Sequence, residues 1–163
     1  MSTDHLKRLL EGCYVTVPTP FSDAPDLPVN ESALRQYVRF LIDSGLNADN
    51  ATFLAGGAAG DFSTMTFDER VRVASIVIDE VGGRVPVAMG AQTTSTLELK
   101  RLAKAARSLG AKFIQVSCPF YFSHTEGDFE EYIRAAADAE PDLGIIVYNT
   151  FWTSQNLSFR MIE

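Results

Sequence analysis

The sequence has few of the residues that build disulfide frameworks and transition-metal sites, with two cysteines and two histidines among 163 residues. Cys13 and Cys118 lie far apart, each in an apolar context, and no His or Cys stands near either at a spacing typical of metal ligands. We therefore expect two buried thiols, no metal site and no cofactor. His5 lies in the N-terminal segment and His124 precedes a predicted helix, so neither is a candidate general base.

Long apolar runs and clusters of positive charge are also missing. Arg, Asp or Gly interrupts each apolar run well short of the roughly 20 residues that span a bilayer, and the N-terminal residues do not have the pattern of a secretion signal. Lys and Arg number 14 against 21 Asp and Glu, and the net charge is -7. The scattered basic residues offer no surface for nucleic acid or anionic lipid. We expect a globular cytoplasmic protein that binds neither nucleic acid nor a membrane.

Short apolar segments alternate with amphipathic patterns about every thirty residues. The predicted strands are 12–17, 52–55, 85–89, 113–117 and 144–148. The helices that follow are predicted to begin at Asn30, Thr66, Ser95 and about Thr125, and the second and third carry the S/T-x-x-E pattern of a capping box. This alternation is typical of parallel βαβ units and predicts an α/β fold. A doubly wound open sheet and a (β/α) barrel both satisfy it.

The end of the sequence falls inside a predicted element. Ser158 has the character of a cap for a fifth helix, and Glu163 follows after barely one turn. Four and a half βα units amount to about half of an eight-stranded barrel. We therefore expect residues 1–163 to form the N-terminal half of a single domain, cut off early in helix five.

A small-residue stretch follows the second predicted strand, where ligands bind in parallel α/β folds. Positions 55–60 hold three glycines and three alanines, so little side chain covers the end of the strand. Backbone N–H groups there can approach a carboxylate or phosphate closely. The alternative is a tight turn beneath a helix with no ligand.

Two tyrosines lie at the end of the fifth predicted strand and just past the end of the fourth. Tyr121 and Tyr148 are candidates for moving a proton between a carbonyl oxygen and solvent. Taken singly, each fits an aromatic plug better, because this end of the sheet is rich in other aromatics: Phe120, Phe122, Phe151 and Trp152. A Ser-His-Asp arrangement, a P-loop and a G-x-G-x-x-G motif after the first strand are all missing.

Several short motifs, taken in their order along the chain, resemble those of the dihydrodipicolinate synthase and N-acetylneuraminate lyase family of class I aldolases. They lie at 15–21, 29–31, 57–63, 83–87 with Gly90, 119–121 and 147–149. The resemblance implies a (β/α)8 TIM barrel, of which this chain supplies about the first five strands and four helices. It also implies a homo-oligomer, either a dimer or a tetramer.

The same resemblance implies a chemistry. A 2-oxo acid, usually pyruvate, forms a Schiff base with a lysine at the end of strand six, which lies beyond Glu163, and a carbon–carbon or carbon–oxygen bond is then made or broken with an aldehyde partner. An activity similar to that of 4-hydroxy-tetrahydrodipicolinate synthase is one form of it. The carboxylate is expected against the turn formed by Gly57, Ala58, Ala59 and Gly60. Tyr148 matches the proton donor and acceptor, and Tyr121 matches a relay tyrosine that reaches a neighbouring subunit.

Three features depart from the family pattern. Ala58 and Ala59 stand where hydroxyl residues are usual, so the carboxylate is left to backbone N–H groups and the hydroxyl relay is missing. Asp61 replaces a glutamate, and 150–154 lack the usual proline and Thr-Gly pair, which favours a bulkier or more apolar partner substrate. The alternative function is a catalytically silent family member that binds a small carboxylate.

Overall fold

Five parallel strands form one sheet in the computed structural model, which describes residues 3–150 and 157–158. They are β1 (Cys13–Val17), β2 (Ala51–Ala55), β3 (Val87–Gly90), β4 (Phe113–Ser117) and β5 (Gly144–Tyr148). Each predicted strand matches one of these within two residues at either end. The largest change is at β3, which begins at Val87, two residues later than predicted, and includes Gly90, which was predicted to lie in the loop after it.

Within the described residues, five α-helices accompany the strands. They are α1 (Thr3–Arg8), α2 (Glu31–Asp43), α3 (Phe67–Val81), α4 (Thr96–Leu109) and α5 (Glu126–Ala139). Two single-turn 3-10 helices, Ala58–Gly60 and Phe62–Thr64, lie between β2 and α3. The sequence predicted α2 to α5. It missed α1 and the 3-10 turns because elements of three to six residues are too short for a helical repeat to be seen.

Side-chain caps explain where the helices begin. The Asn30 Oδ1 atom accepts from the Ala33 N–H at 3.0 Å, and Thr66 with Glu69 forms the predicted reciprocal capping box. The box predicted for α4 is only half formed. Ser95 accepts from the Glu98 N–H, but the Glu98 carboxylate accepts instead from the Thr93 hydroxyl at 3.2 Å.

The order of the strands decides between the two predicted architectures. It is sequential, β1-β2-β3-β4-β5, and α2 packs on α3, α3 on α4, and α4 on α5. A doubly wound sheet reverses its strand order and places helices on both faces. A sequential parallel sheet with one layer of neighbouring helices is an arc of a (β/α) barrel.

The two faces of the sheet bury different cores. The outer face packs against the helices in one large apolar cluster that includes Phe53, Met89 and Ile114. The inner face carries a smaller cluster of Leu54, Ala88 and Phe113. Ile146 packs against it, together with Leu6 and Leu9 of the α1 segment, which is α1 with the residues that follow it directly. The hydroxyl of Thr52, near the start of β2, donates to the Leu9 carbonyl oxygen at 2.5 Å. The α1 segment therefore covers the amino-terminal ends of the strands.

One prediction of burial needs correction. Cys118 is buried as predicted, but Cys13, the first residue of β1, is exposed. In α3, six residues are buried: Arg70, Val73, Ala74, Ile76, Val77 and Val81. The half-buried Val71 and Ile78 pack against the same core, and the helix lies between α2 and α4.

The predicted helix after Ser158 lies outside the described residues. In the part of the chain that the structure describes, no helix is both long and apolar enough to cross a bilayer.

Candidate active site

The carboxyl ends of the five strands bring the candidate residues to one edge of the sheet. Gly57 to Gly60 follow β2, Gln92 follows β3, and Tyr148 ends β5. The loop after β1 contributes Thr19, whose buried hydroxyl donates to the Gly60 carbonyl oxygen at 2.8 Å. This hydrogen bond fixes the turn after β2 against the exit of β1.

The turn after β2 has the backbone that its glycines and alanines predict. Gly56 has a φ of +64°, a conformation that L side chains rarely adopt. A Cβ atom on Gly57 would lie 2.4 Å from the Leu54 Cδ2 atom. The chain then makes the 3-10 turn Ala58–Gly60, and Asp61 follows in the left-handed region with a φ of +56°.

This conformation leaves two backbone N–H groups, those of Ala58 and Ala59, available to bind a small anion. Ala58 and Ala59 are exposed, whereas Gly57 and Gly60 are buried. The Gly60 N–H donates to the Gly57 carbonyl within the turn, but the N–H groups of Ala58 and Ala59, at its start, have no carbonyl partner in the 3-10 helix. The arrangement can accept a small anion with backbone donors and no side-chain hydroxyl.

Beneath the turn lies a buried arginine that the sequence did not single out. Arg70 is 5 % exposed and donates from Nη2 to the Gly90 carbonyl oxygen at 2.9 Å. Its guanidinium lies 5.5 Å from the ring centroid of Phe62 and 4.0 Å from Glu98. Burial lowers the pKa of Arg70, and the Glu98 charge opposes that shift. Arg70 links the end of β3 to the second 3-10 turn.

The loop after β3 is held by α4 and α5. The Thr93 hydroxyl donates to Glu98, and the Thr93 carbonyl oxygen accepts from the buried phenol of Tyr132 at 2.5 Å. Burial is the main reason that the pKa of Tyr132 is raised, so this phenol stays protonated and acts as a structural donor. The backbone of residues 90–93 is therefore fixed from two sides.

Tyr148 lies on the inner face of β5 at its carboxyl end. Ile146 packs in the inner apolar cluster, and the alternation of a strand places Tyr148 on the same face. It pairs in register with Ser117 of β4 and is 37 % exposed. Because β3 and β4 lie between Tyr148 and the turn after β2, a ligand that reaches both must lie across the inner face.

The structure places Tyr121 differently. It is 85 % exposed, has a φ of +88°, and packs edge-on against Phe122 with ring centroids 4.8 Å apart. The Phe120 ring packs instead on the Phe62 ring, with centroids 6.4 Å apart. Phe151 and Trp152 fall outside the described residues.

Within the described ranges no group of three or more His, Cys, Asp or Glu side chains could hold a metal ion.

Comparison with known proteins identifies the family. A sequence model of the dihydrodipicolinate synthetase family matches residues 9–163. The chain belongs to this family. Its curated relatives include the 4-hydroxy-tetrahydrodipicolinate synthase of Chloroherpeton thalassium, which is 38% identical over 143 residues, covering 88% of this chain and 45% of the relative.

Solved structures of the dihydrodipicolinate synthetase family share the fold. The chloride-inhibited dihydrodipicolinate synthase from Acinetobacter baumannii, solved in complex with pyruvate, superposes with a TM-score of 0.85 at 29% identity over 93% of this chain and 50% of that one. A monomeric dihydrodipicolinate synthase variant superposes with a TM-score of 0.82 at 28% identity, over 94% of this chain and 48% of that one. The chain spans about half the length of these relatives, which agrees with five strands of an eight-stranded barrel.

Proposed function

We propose that the protein is a lyase of the aldolase type, which forms or cleaves a carbon–carbon bond of a 2-oxo acid such as pyruvate through a lysine Schiff base. The observation that carries the proposal is the small-residue turn after β2, in a chain of the dihydrodipicolinate synthetase family, at the same edge of the sheet as Tyr148. Residues 1–163 then form the N-terminal half of one barrel domain, and the lysine lies in the other half.

The proposed roles follow from the chemistry of each group. The N–H groups of Ala58 and Ala59 bind the carboxylate, which holds the 2-oxo acid across the inner face. The lysine amine adds to the keto carbon, and the Tyr148 phenol protonates the hydroxyl that leaves as water, which gives the Schiff base. The resulting phenolate accepts a proton from the neighbouring carbon, which gives an enamine that attacks an aldehyde. The phenol, protonated again by this transfer, donates its proton to the oxygen of that aldehyde.

The partner substrate is the part of the proposal that depends on 150–154, most of which lies outside the described residues. We propose a bulkier or more apolar aldehyde than the usual family partner, because Phe151 and Trp152 stand where the family pattern has smaller residues.

Borohydride reduction in the presence of pyruvate tests the Schiff base. With the complete polypeptide, we expect a stable covalent adduct in the mass spectrum, confined to a peptide that carries a lysine from beyond Glu163. The control omits the 2-oxo acid. Absence of an adduct with every 2-oxo acid tried contradicts the proposal, and calorimetric binding of a 2-oxo acid without adduct or turnover favours a silent binding protein instead.

We also propose that the protein is a homo-oligomer, a dimer or a tetramer, with the Tyr121 and Phe122 rings at the contact. Two large aromatics, 85 % and 75 % exposed, with Tyr121 in a backbone conformation that is costly for a bulky residue, mark an interaction surface.

Light scattering tests this assembly. We expect a dimer or tetramer mass at micromolar concentration and a shift towards monomer when Tyr121 and Phe122 are both replaced by serine. The matched control is Leu97→Ser, since Leu97 is also 75% exposed but lies on α4. A monomer mass for the unaltered protein contradicts the interface.

A further inference from the structure

One buried side chain at the carboxyl end of the sheet has polar atoms with no partner. Gln92 is 2 % exposed, and neither its Nε2 nor its Oε1 atom has a hydrogen-bond partner in the described part of the chain. A buried amide in this state destabilises the fold unless something supplies the missing hydrogen bonds. The two atoms therefore mark a place where a bound polar group can supply these hydrogen bonds.

Two observations place this amide on the inner face. Met89 and Ala91 belong to the outer core, and Ala88 to the inner cluster, so alternation puts Gly90 and Gln92 inside. The ladder continues through this segment, because the Ala91 N–H donates to the Gln115 carbonyl at 2.8 Å. A Cβ atom built on Gly90 would also lie 2.9 Å from Gln92 Oε1, so the amide lies over Gly90.

The amide is next to the turn that the proposed function assigns to the carboxylate. The same Cβ position on Gly90 lies 1.9 Å from the Gly56 carbonyl oxygen. The Gly56 carbonyl and the Gln92 amide therefore both lie close to the position that a Gly90 side chain would occupy. Gly56 leads directly into the turn of Ala58 and Ala59, which lacks hydroxyl donors. Gln92 can supply a side-chain donor that this turn does not have.

We propose that Gln92 is a substrate-contacting residue, whose Nε2 donates to the carboxylate of the bound 2-oxo acid. This inference rests on the proposed function and adds a specificity-determining group to its site. The amide oxygen remains available to accept from the hydroxyl that forms on the keto carbon when the lysine adds. An amide has one donor end and one acceptor end, and a carboxylate beside a hydroxyl matches both.

The sharpest test combines stability with binding. In Gln92→Leu, removal of two unpartnered polar atoms is expected to leave the melting temperature of the free protein unchanged or raised. The same change is expected to weaken pyruvate binding by roughly 10- to 100-fold, as loss of a hydrogen bond to a charged group does. Gln92→Met gives a second apolar side chain of similar size, in case the branched one packs poorly.

Pyruvate alone is the probe, in calorimetry and in borohydride trapping with the complete polypeptide. The control is Gln36→Leu on the exposed surface of α2, which is expected to change neither property. Adduct formation by the unaltered protein, with equal pyruvate affinity in both Gln92 variants, overturns the role of Gln92 and leaves the proposed function standing. A lowered melting temperature in both variants without pyruvate overturns it as well, because the amide then has a structural partner. Absence of pyruvate binding by the unaltered protein overturns both proposals.

Discussion

Replacing Tyr148 by phenylalanine is expected to lower turnover by about 10²- to 10⁴-fold, the usual contribution of a positioned proton-transfer group. Pyruvate affinity is expected to change little, because the proposed carboxylate contacts lie at Ala58 and Ala59 and not at the phenol. The ring is retained, and Tyr148 is 37 % exposed at the end of β5, so stability is expected to stay nearly constant. Steady-state kinetics with pyruvate as the varied substrate separates kcat from KM.

Tyr37→Phe is a matched control for the loss of a phenol, since Tyr37 packs on the outer core from α2, away from the strand ends. Equal rates for Tyr148→Phe and the unaltered protein would show that Tyr148 is an aromatic plug. Comparable losses in kcat/KM and in pyruvate binding would instead assign the phenol to positioning of the substrate.

Gly90→Ala is expected to disrupt the site through the backbone. The new Cβ atom would lie 1.9 Å from the Gly56 carbonyl oxygen and 2.6 Å from its carbon, and these are main-chain atoms that no rotamer change can move. Relief requires β2 and β3 to separate at their carboxyl ends, where Arg70 also holds the Gly90 carbonyl. We expect the free energy of unfolding to fall by about 3 kcal/mol, the upper end of the usual cost of overpacking, and pyruvate binding to be lost.

Gly127→Ala provides the comparison. Gly127 lies in α5, where a Cβ atom meets only the Thr125 hydroxyl oxygen at 3.7 Å, so alanine is expected to stabilise the helix by about 0.5–1 kcal/mol. Urea unfolding of both variants gives the two free energies. A Gly90→Ala protein as stable as the unaltered one would show that the close approach of Gly56 to Gly90 is not required.

The local pattern of the sequence was sufficient to predict the strands and the main helices. β4 and β5 were predicted to the residue, because turn residues bound each apolar run. The order of the strands could not be predicted in this way, since hydrophobic periodicity carries no information about neighbours in a sheet. The barrel came from the family resemblance, and the observed sequential order confirms it.

The site was predicted less completely. The turn after β2 was visible as a cluster of small residues, but its support was not. Arg70 has the sequence context of a solvated charge in the first turn of an amphipathic helix, and only the Gly90 carbonyl and the Phe62 ring explain its burial. Gln92 stands beside two other polar residues, Thr93 and Thr94, and no motif distinguishes it from them. Its missing hydrogen bonds depend on three-dimensional packing over Gly90, which no spacing in the sequence encodes.

The crystal structure of the complete polypeptide after borohydride trapping with pyruvate tests the central claim most directly. The account predicts a covalent bond to a lysine of the strand after β5, with the pyruvate-derived carboxylate within hydrogen-bond distance of the N–H groups of Ala58 and Ala59. An adduct whose carboxylate lies away from the turn after β2, or no adduct at all, would contradict it.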